Sequence, residues 1–209
     1  MSFQIVSESI IKGNESLTVE HVKELIDSGT EPLSIINDGL MAGMNVVGER
    51  FKNGEMFVPE VLMAARAMNS GIELVKPLIN DDDMPNVGTV VIGTVKGDLH
   101  DIGKNLVAMM MESAGFKVVN VGVDVTTDKF VEAVRENNAQ IVAMSAMLTT
   151  TMVYMKNVIE ALEEAGLREQ VKIMIGGAPV TPKFAEEIGA ELYTVDASSA
   201  AEEGKKILK

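Results

Sequence analysis

Thr89-Val90-Val91-Ile92-Gly93-Thr94-Val95-Lys96-Gly97-Asp98-Leu99-His100-Asp101-Ile102-Gly103-Lys104 is the stretch whose reading decides the fold. Its first seven residues are apolar and β-branched, the pattern of a buried strand. From Asn105 to Met111, with Ala114, apolar residues recur at helical spacing, so the turn between holds Gly97, Asp98, Leu99, His100, Asp101 and Gly103. Open α/β sheets bind ligands at such turns. A loop histidine is ordinarily a surface residue. This one has Asp98 two residues earlier, close enough to take the proton of one ring nitrogen and leave the other free for a metal. Gly97 and Gly103 remove side chains on either side, so a bulky planar ligand can approach the backbone.

Strand and helix alternate from there onward. Strands are expected at Lys117 to Val121, Ile141 to Ser145, Val171 to Ile175 and Leu192 to Val195. The helices between run from Asp128 to Asn137 with a cap near Thr127, Thr151 to Ala165, Pro182 to Ile188 and Ser199 to Leu208. This is the signature of a Rossmann-like, flavodoxin-like parallel sheet with helices on both faces. Five strands in the order 2-1-3-4-5 put the switch point between the first and third, above Gly97 to Gly103 and Ser145 to Thr151. The hydroxyls of Ser145, Thr149, Thr150 and Thr151 fall at that crevice, where one of the four is expected to cap the following helix. Gly176 and Gly177 follow the fourth strand, either as a tight turn or as a place for a flat group to lie against the backbone.

Upstream, residues 1–80 read as helices only. Phe3 to Ile11 comes first, then Thr18 to Ser28, a third helix from Pro32 toward Lys52, and a fourth from Pro59. In the fourth, Val61, Leu62, Ala65, Met68, Ile72 and Val75 make a stripe for burial. Four helices with short loops imply an antiparallel four-helix bundle. The turn Glu49 to Pro59 carries Phe51, Met56, Phe57 and Val58, more apolar surface than a plain connection needs. Asn80 to Gly88 holds three consecutive aspartates followed by Pro85 and Gly88, a solvated linker rather than a metal site. The expected organisation is a helical domain at 1–80, an acidic linker at 81–88 that can act as a hinge, and an α/β domain at 89–209.

Composition narrows the function. The 209 residues are 46% hydrophobic and carry a net charge of −13, with no cysteine. Disulfides and thiolate metal sites are excluded. Acidic charge on both halves argues against a nucleic-acid partner and is chiefly a matter of solubility. No apolar run reaches about 18 residues and no basic segment leads into a long apolar core at the N-terminus, so the expectation is a soluble cytoplasmic chain without membrane partners. Fifteen methionines suit irregular core or cofactor-cap packing. His21 sits in a predicted helix beside Val22 and Glu24, with nothing to suggest a ligand role. Neither a dinucleotide fingerprint, nor a P-loop, nor a Ser-His-Asp arrangement competes.

Asp98-Leu99-His100-Asp101-Ile102-Gly103 fits the DxHxxG signature of cobalamin-binding domains. The surrounding VKGDLHDIGKN resembles the cobalamin domain of methionine synthase and the small corrinoid proteins of the methylamine, methanol, betaine and methoxyaromatic methyltransferase systems. The resemblance covers nearly the whole chain. It implies a cobalamin or related corrinoid cofactor bound with its own base displaced and His100 as the lower cobalt ligand. Asp98 would orient His100, and Thr151 would stand where methionine synthase has a serine bonded to that aspartate. The positions matching Ser145, Thr149 and Ala197 contact the nucleotide tail in the family, and the displaced base lies near Gly176 and Gly177; Leu148 belongs to the same expected site. Phe51, Val58 and Val61 match residues laid over the upper face of the ring, Val58 being smaller than the leucine of the larger family.

What the resemblance implies about activity is a corrinoid methyl carrier without substrate chemistry of its own. Co(I) takes a methyl group from a donor bound on a substrate-specific methyltransferase, and methyl-Co(III) passes it to a second methyltransferase acting on tetrahydrofolate or coenzyme M. A reductive activation protein is the third implied partner. Another reading is a corrinoid-binding sensor, which would need an output segment; a mutase subunit would generally lack the helical cap.

Overall fold

The computed structural model describes residues 2–79 and 86–208. The linker expected at 81–88 thus falls largely outside the described residues. The chain divides into two compact units at Asn86 and Val87, a helical unit and an α/β unit.

In the helical unit α1 spans Phe3–Ile11 and α2 spans Glu15–Asp27. The second helix starts earlier than the pattern suggests, because Asn14 rather than Ser16 is its cap, accepting the Leu17 N–H at 3.1 Å. The third helix, α3, opens as a turn Pro32–Ser34, winds as a π-helix through Ile35–Met41 and continues as an α-helix over Ala42–Lys52. Here α1 and α3 pack at backbone range. A Cβ on Gly43 would lie 2.8 Å from both Ile10 Cβ and the Ser7 carbonyl, and one on Gly39 would lie 3.2 Å from Val6. The last helix, α4, is Val58–Val75, and the Glu60 carboxylate accepts the Phe57 N–H at 2.8 Å at its start. Val61, Ala64, Ala65, Met68, Gly71 and Val75 form its buried stripe.

The α/β unit is a five-stranded, all-parallel sheet in the order β2-β1-β3-β4-β5. Its strands are β1 Thr89–Val95, β2 Lys117–Val125, β3 Ile141–Ser145, β4 Lys172–Gly176 and β5 Leu192–Tyr193. The crossover helices are α5 Ile102–Ser113, α6 Thr127–Asn137, α7 Val153–Glu164 and α8 Pro182–Ile188, and α9 Ala197–Ile207 ends the chain. Val91, Val142 and Ile173 on adjacent strands are wholly buried, as is Phe130 of α6. Gly93 leaves the room for that ring: a Cβ there would stand 2.8 Å from Phe130 Cζ. Burying a phenylalanine of this kind contributes roughly 2–3 kcal/mol.

The edge strand β2 is four residues longer than the sequence suggests. Its pairing with β1 shifts register between Ile92 and Gly93 and again before Val95, with Gly122 and Asp124 at positive φ (95° and 51°). These bulges let two poor strand formers stay in the strand.

Candidate functional site

The C-terminal end of β1 makes a tight turn in which the Asp98 N–H bonds the Val95 carbonyl at 3.2 Å and Gly97 takes φ 79°. That turn folds the Asp98 side chain inward. Its carboxylate is fully buried, while the His100 side chain two residues on is 55% exposed. Asp98 Oδ1 accepts the His100 N–H at 3.1 Å and lies 2.7 Å from His100 Nδ1. Asp98 Oδ2 accepts from the Met147 N–H at 2.7 Å, the Leu148 N–H at 3.3 Å and the Thr151 hydroxyl at 2.9 Å. Thr94 fixes the same loop from below, its hydroxyl donating to the His100 carbonyl at 2.8 Å.

Burial alone would raise the Asp98 carboxyl. The Met147 N–H, the His100 ring and N–H and the Thr151 hydroxyl outweigh it and hold the group well below the usual carboxylate range. It is therefore an anion at neutral pH. With Nδ1 engaged by that anion, the lone pair of Nε2 is the free end of the ring, the arrangement that orients a metal-ligating histidine.

Around the imidazole the surface is apolar: Leu99 is 71% exposed and Ile102 81% exposed, with Met147 and Leu148 also open. Asp101 and Gly103 are exposed as well, and a Cβ on Gly103 would meet nothing within 4 Å. Ser145 ends β3 and pairs with Gly176 at the end of β4, so those two are neighbours, whereas Thr149 lies exposed in the loop. Ala197 is buried as the first residue of α9. Phe51 and Val58 are half-buried in the helical unit and Val61 is fully buried there, while Phe57 is 68% exposed.

One reading of the loops needs correction. None of the four hydroxyls caps α7, whose preceding residue is Met152 with no side-chain cap bond; the Thr151 hydroxyl is turned to Asp98 and to the Leu148 carbonyl instead. Gly177 has a reason of its own. At φ 127°, a Cβ there would lie 1.9 Å from the Ala146 carbonyl oxygen, so it lets the β4 loop close on the end of β3.

Sequence reasoning also missed several groups. The N–H groups of Met147 and Leu148 carry no signature in a sequence. Asp124 does: an aspartate two residues after a glycine in an otherwise β-branched run signals a bulge. Next to the loop, Lys104 is buried, and its ammonium donates to Asn105 and, at 2.8 Å, to Asn120. Burial lowers its pKa, opposed by the nearby Asp101 charge.

The donor set fits a corrinoid. Among the described residues no group of three or more His, Asp or Glu side chains stands together as a metal site. A macrocyclic group carries its metal's other donors itself, and the free imidazole nitrogen with the apolar side chains beside it suits such a group. A doubly wound sheet with this loop at its switch point is the build of a corrinoid-binding domain. B12 binding domain families match residues 88–203 and residues 3–76. A trimethylamine corrinoid protein of Methanosarcina mazei is 47% identical over 203 residues, covering 96% of this chain and 93% of that one. A dimethylamine corrinoid protein of Methanosarcina acetivorans is 48% identical over 179 residues, 85% of this chain and 84% of that one. Among solved structures, a chain of the methanol:cobalamin methyltransferase complex MtaBC from Methanosarcina barkeri matches with a TM-score of 0.89 at 33% identity, covering 99% of this chain and 79% of that chain. The chain belongs to the B12-binding family of corrinoid proteins. Among the described residues no helix is long and apolar enough to cross a membrane.

Proposed function

We propose that this protein is the corrinoid methyl carrier of a methyltransferase system, with His100 as the lower ligand of a base-off corrinoid. A bound corrinoid supplies a cobalt centre that takes up and gives up a methyl group. The chain's own residues do the rest. Asp98 holds the Nδ1 proton of His100 and so presents Nε2; the Met147 and Leu148 N–H groups and the Thr151 hydroxyl keep Asp98 ionised and aimed. Leu99 and Ile102 offer an apolar bed and exclude water beneath the ring. Ser145, Thr149, Leu148, Gly176, Gly177 and Ala197 are proposed to receive the nucleotide tail, and Phe51, Val58 and Val61 of the helical domain to cover the opposite face. The observation that carries this reading is the buried, fully bonded Asp98 carboxylate beneath a half-exposed histidine.

The donor is proposed to be a methylated amine on a substrate-specific methyltransferase, because the relatives are named for such amines. Relatives named for trimethylamine and for dimethylamine match at 47% and 48% identity, so similarity selects the class and not the number of methyl groups. A second methyltransferase acting on coenzyme M or tetrahydrofolate and a reductive activation protein complete the proposed partners, in the cytoplasm. The test is reconstitution with hydroxocobalamin, reduction to Co(II) and electron paramagnetic resonance of wild type and His100→Ala. Nitrogen splitting present with a base-free corrinoid and lost in the variant is expected; a chain that retains no corrinoid ends the carrier reading.

A further inference from the structure

Asp124 makes two bonds that the aspartate–histidine arrangement alone does not explain. It sits on the edge strand β2, 27 residues from the loop, yet its carboxylate Oδ1 accepts the Gly97 N–H at 2.7 Å. Its own N–H donates to the Asp98 carbonyl at 3.0 Å. One residue thus holds the peptide groups on both sides of the Gly97–Asp98 pair. It can do so because its backbone is left-handed, φ 51°, a conformation that aspartate tolerates better than most residues and that costs of the order of 1 kcal/mol. The bulge at Gly122 turns the strand so that residue 124, although solvent-exposed, reaches the loop.

An aspartate that merely ended a strand would need neither bond. The direction of the Asp98 carboxylate follows from the backbone of Asp98, and Asp98 Oδ1 in turn sets the Nδ1 end of the imidazole. We infer that Asp124 is a positioning residue for the lower-ligand histidine, clamping the Gly97–Asp98 backbone from the sheet edge so that His100 is presented in one orientation. This rests on the reading of His100 as the cobalt ligand. Other bonds also hold the loop, among them Thr94 to the His100 carbonyl and Met147 to Asp98, so loss of the clamp loosens the histidine without abolishing the site.

The test compares wild type, Asp124→Asn and Asp124→Gly in the full chain. Glycine keeps the left-handed backbone and removes the acceptor; asparagine keeps both. Two signals are read. In the cofactor-free protein, hydrogen exchange of the Gly97 amide is expected to speed up about fivefold or more in Asp124→Gly, the factor a net hydrogen bond of ordinary strength commands, and to stay near wild type in Asp124→Asn. After loading with hydroxocobalamin and reduction to Co(II), the ratio of histidine-bound to histidine-free species is expected to fall by about the same factor in Asp124→Gly only. Unchanged Gly97 exchange in Asp124→Gly overturns the clamp. Faster exchange with an unchanged ratio overturns its link to His100, and an asparagine variant as impaired as the glycine one overturns the role of the hydrogen bond. Where Asp124→Gly fails to fold, Asp124→Ala removes the same acceptor and adds backbone strain at φ 51°, so unchanged Gly97 exchange in it overturns the clamp all the more directly. A wild type without histidine nitrogen splitting refutes the lower-ligand reading itself, while the Gly97 exchange still judges the clamp.

Discussion

The two units handle polar side chains in opposite ways. In the helical unit the described side-chain bonds are mostly local, the caps Ser2 to Gln4, Asn14 to Leu17, Glu31 to Ser34 and Glu60 to Phe57 among them, with Ser70 to Glu15 a long-range exception. In the α/β unit the strongest polar cluster joins residues far apart in the chain. Asp98 reaches Met147 and Thr151 across 49 and 53 residues, and Asp124 reaches Gly97 across 27. The helices are started by bonds the sequence makes with itself and then stabilised by apolar packing, whereas the ligand loop has no conformation until three strands have paired. A rigid site at a strand end needs such cross-links, because a loop free to rearrange cannot hold an imidazole in one place.

The sharpest way to break this contrast is Asp98→Ala. It takes the shared acceptor from the Met147, Leu148 and His100 N–H groups and leaves the Thr151 hydroxyl only the Leu148 carbonyl, and a loss of about 3 kcal/mol is expected. The two tyrosines, Tyr154 and Tyr193, both lie in the α/β unit and the chain has no tryptophan, so tyrosine fluorescence during urea unfolding reads that unit specifically. Next comes Asn14→Ala, which removes only a cap; about 1 kcal/mol is expected, seen by circular dichroism with the tyrosine transition unmoved. A cap whose loss moved the tyrosine transition as far as Asp98→Ala does would erase the distinction.

The smallest effect concerns Lys104. Burial holds its folded pKa below the ordinary lysine value, so between the folded and unfolded values the folded chain binds fewer protons than the unfolded one, and stability rises with pH across that interval. Wild type is expected to gain slightly in stability as pH rises toward the ordinary lysine value, and Lys104→Met to lack that gain, in paired thermal melts.

Much of the architecture is legible because its punctuation is local. Strands β1 and β3 and helix α8 fall at the expected residues; β1 and α8 are bounded on both sides by turn-forming or polar residues, and β3 ends on Ser145. Helix starts drift by a few residues where the cap is Asn14, Thr126 or Asp196 and a competing Ser or Thr stands nearby. In the site, the Asp98–His100 pair is readable because it spans two residues. The Met147 and Leu148 amides are not, since every residue but proline has one, and neither is the closeness of Gly177 to Ala146, which exists only once β4 lies beside β3.

The span between Asp98 and Thr151 has a consequence for biosynthesis. A chain emerging from the ribosome displays its histidine loop well before β3 and the start of α7 exist. Throughout that interval the Asp98 carboxylate is hydrated and the imidazole swings freely. The loop acquires its fixed form only when closure of a segment of about 50 residues brings the Met147 amide to the carboxylate, a step whose entropic cost grows slowly with length. An oriented histidine is thus a property of the finished sheet, and on the proposed reading loading with a corrinoid would follow folding.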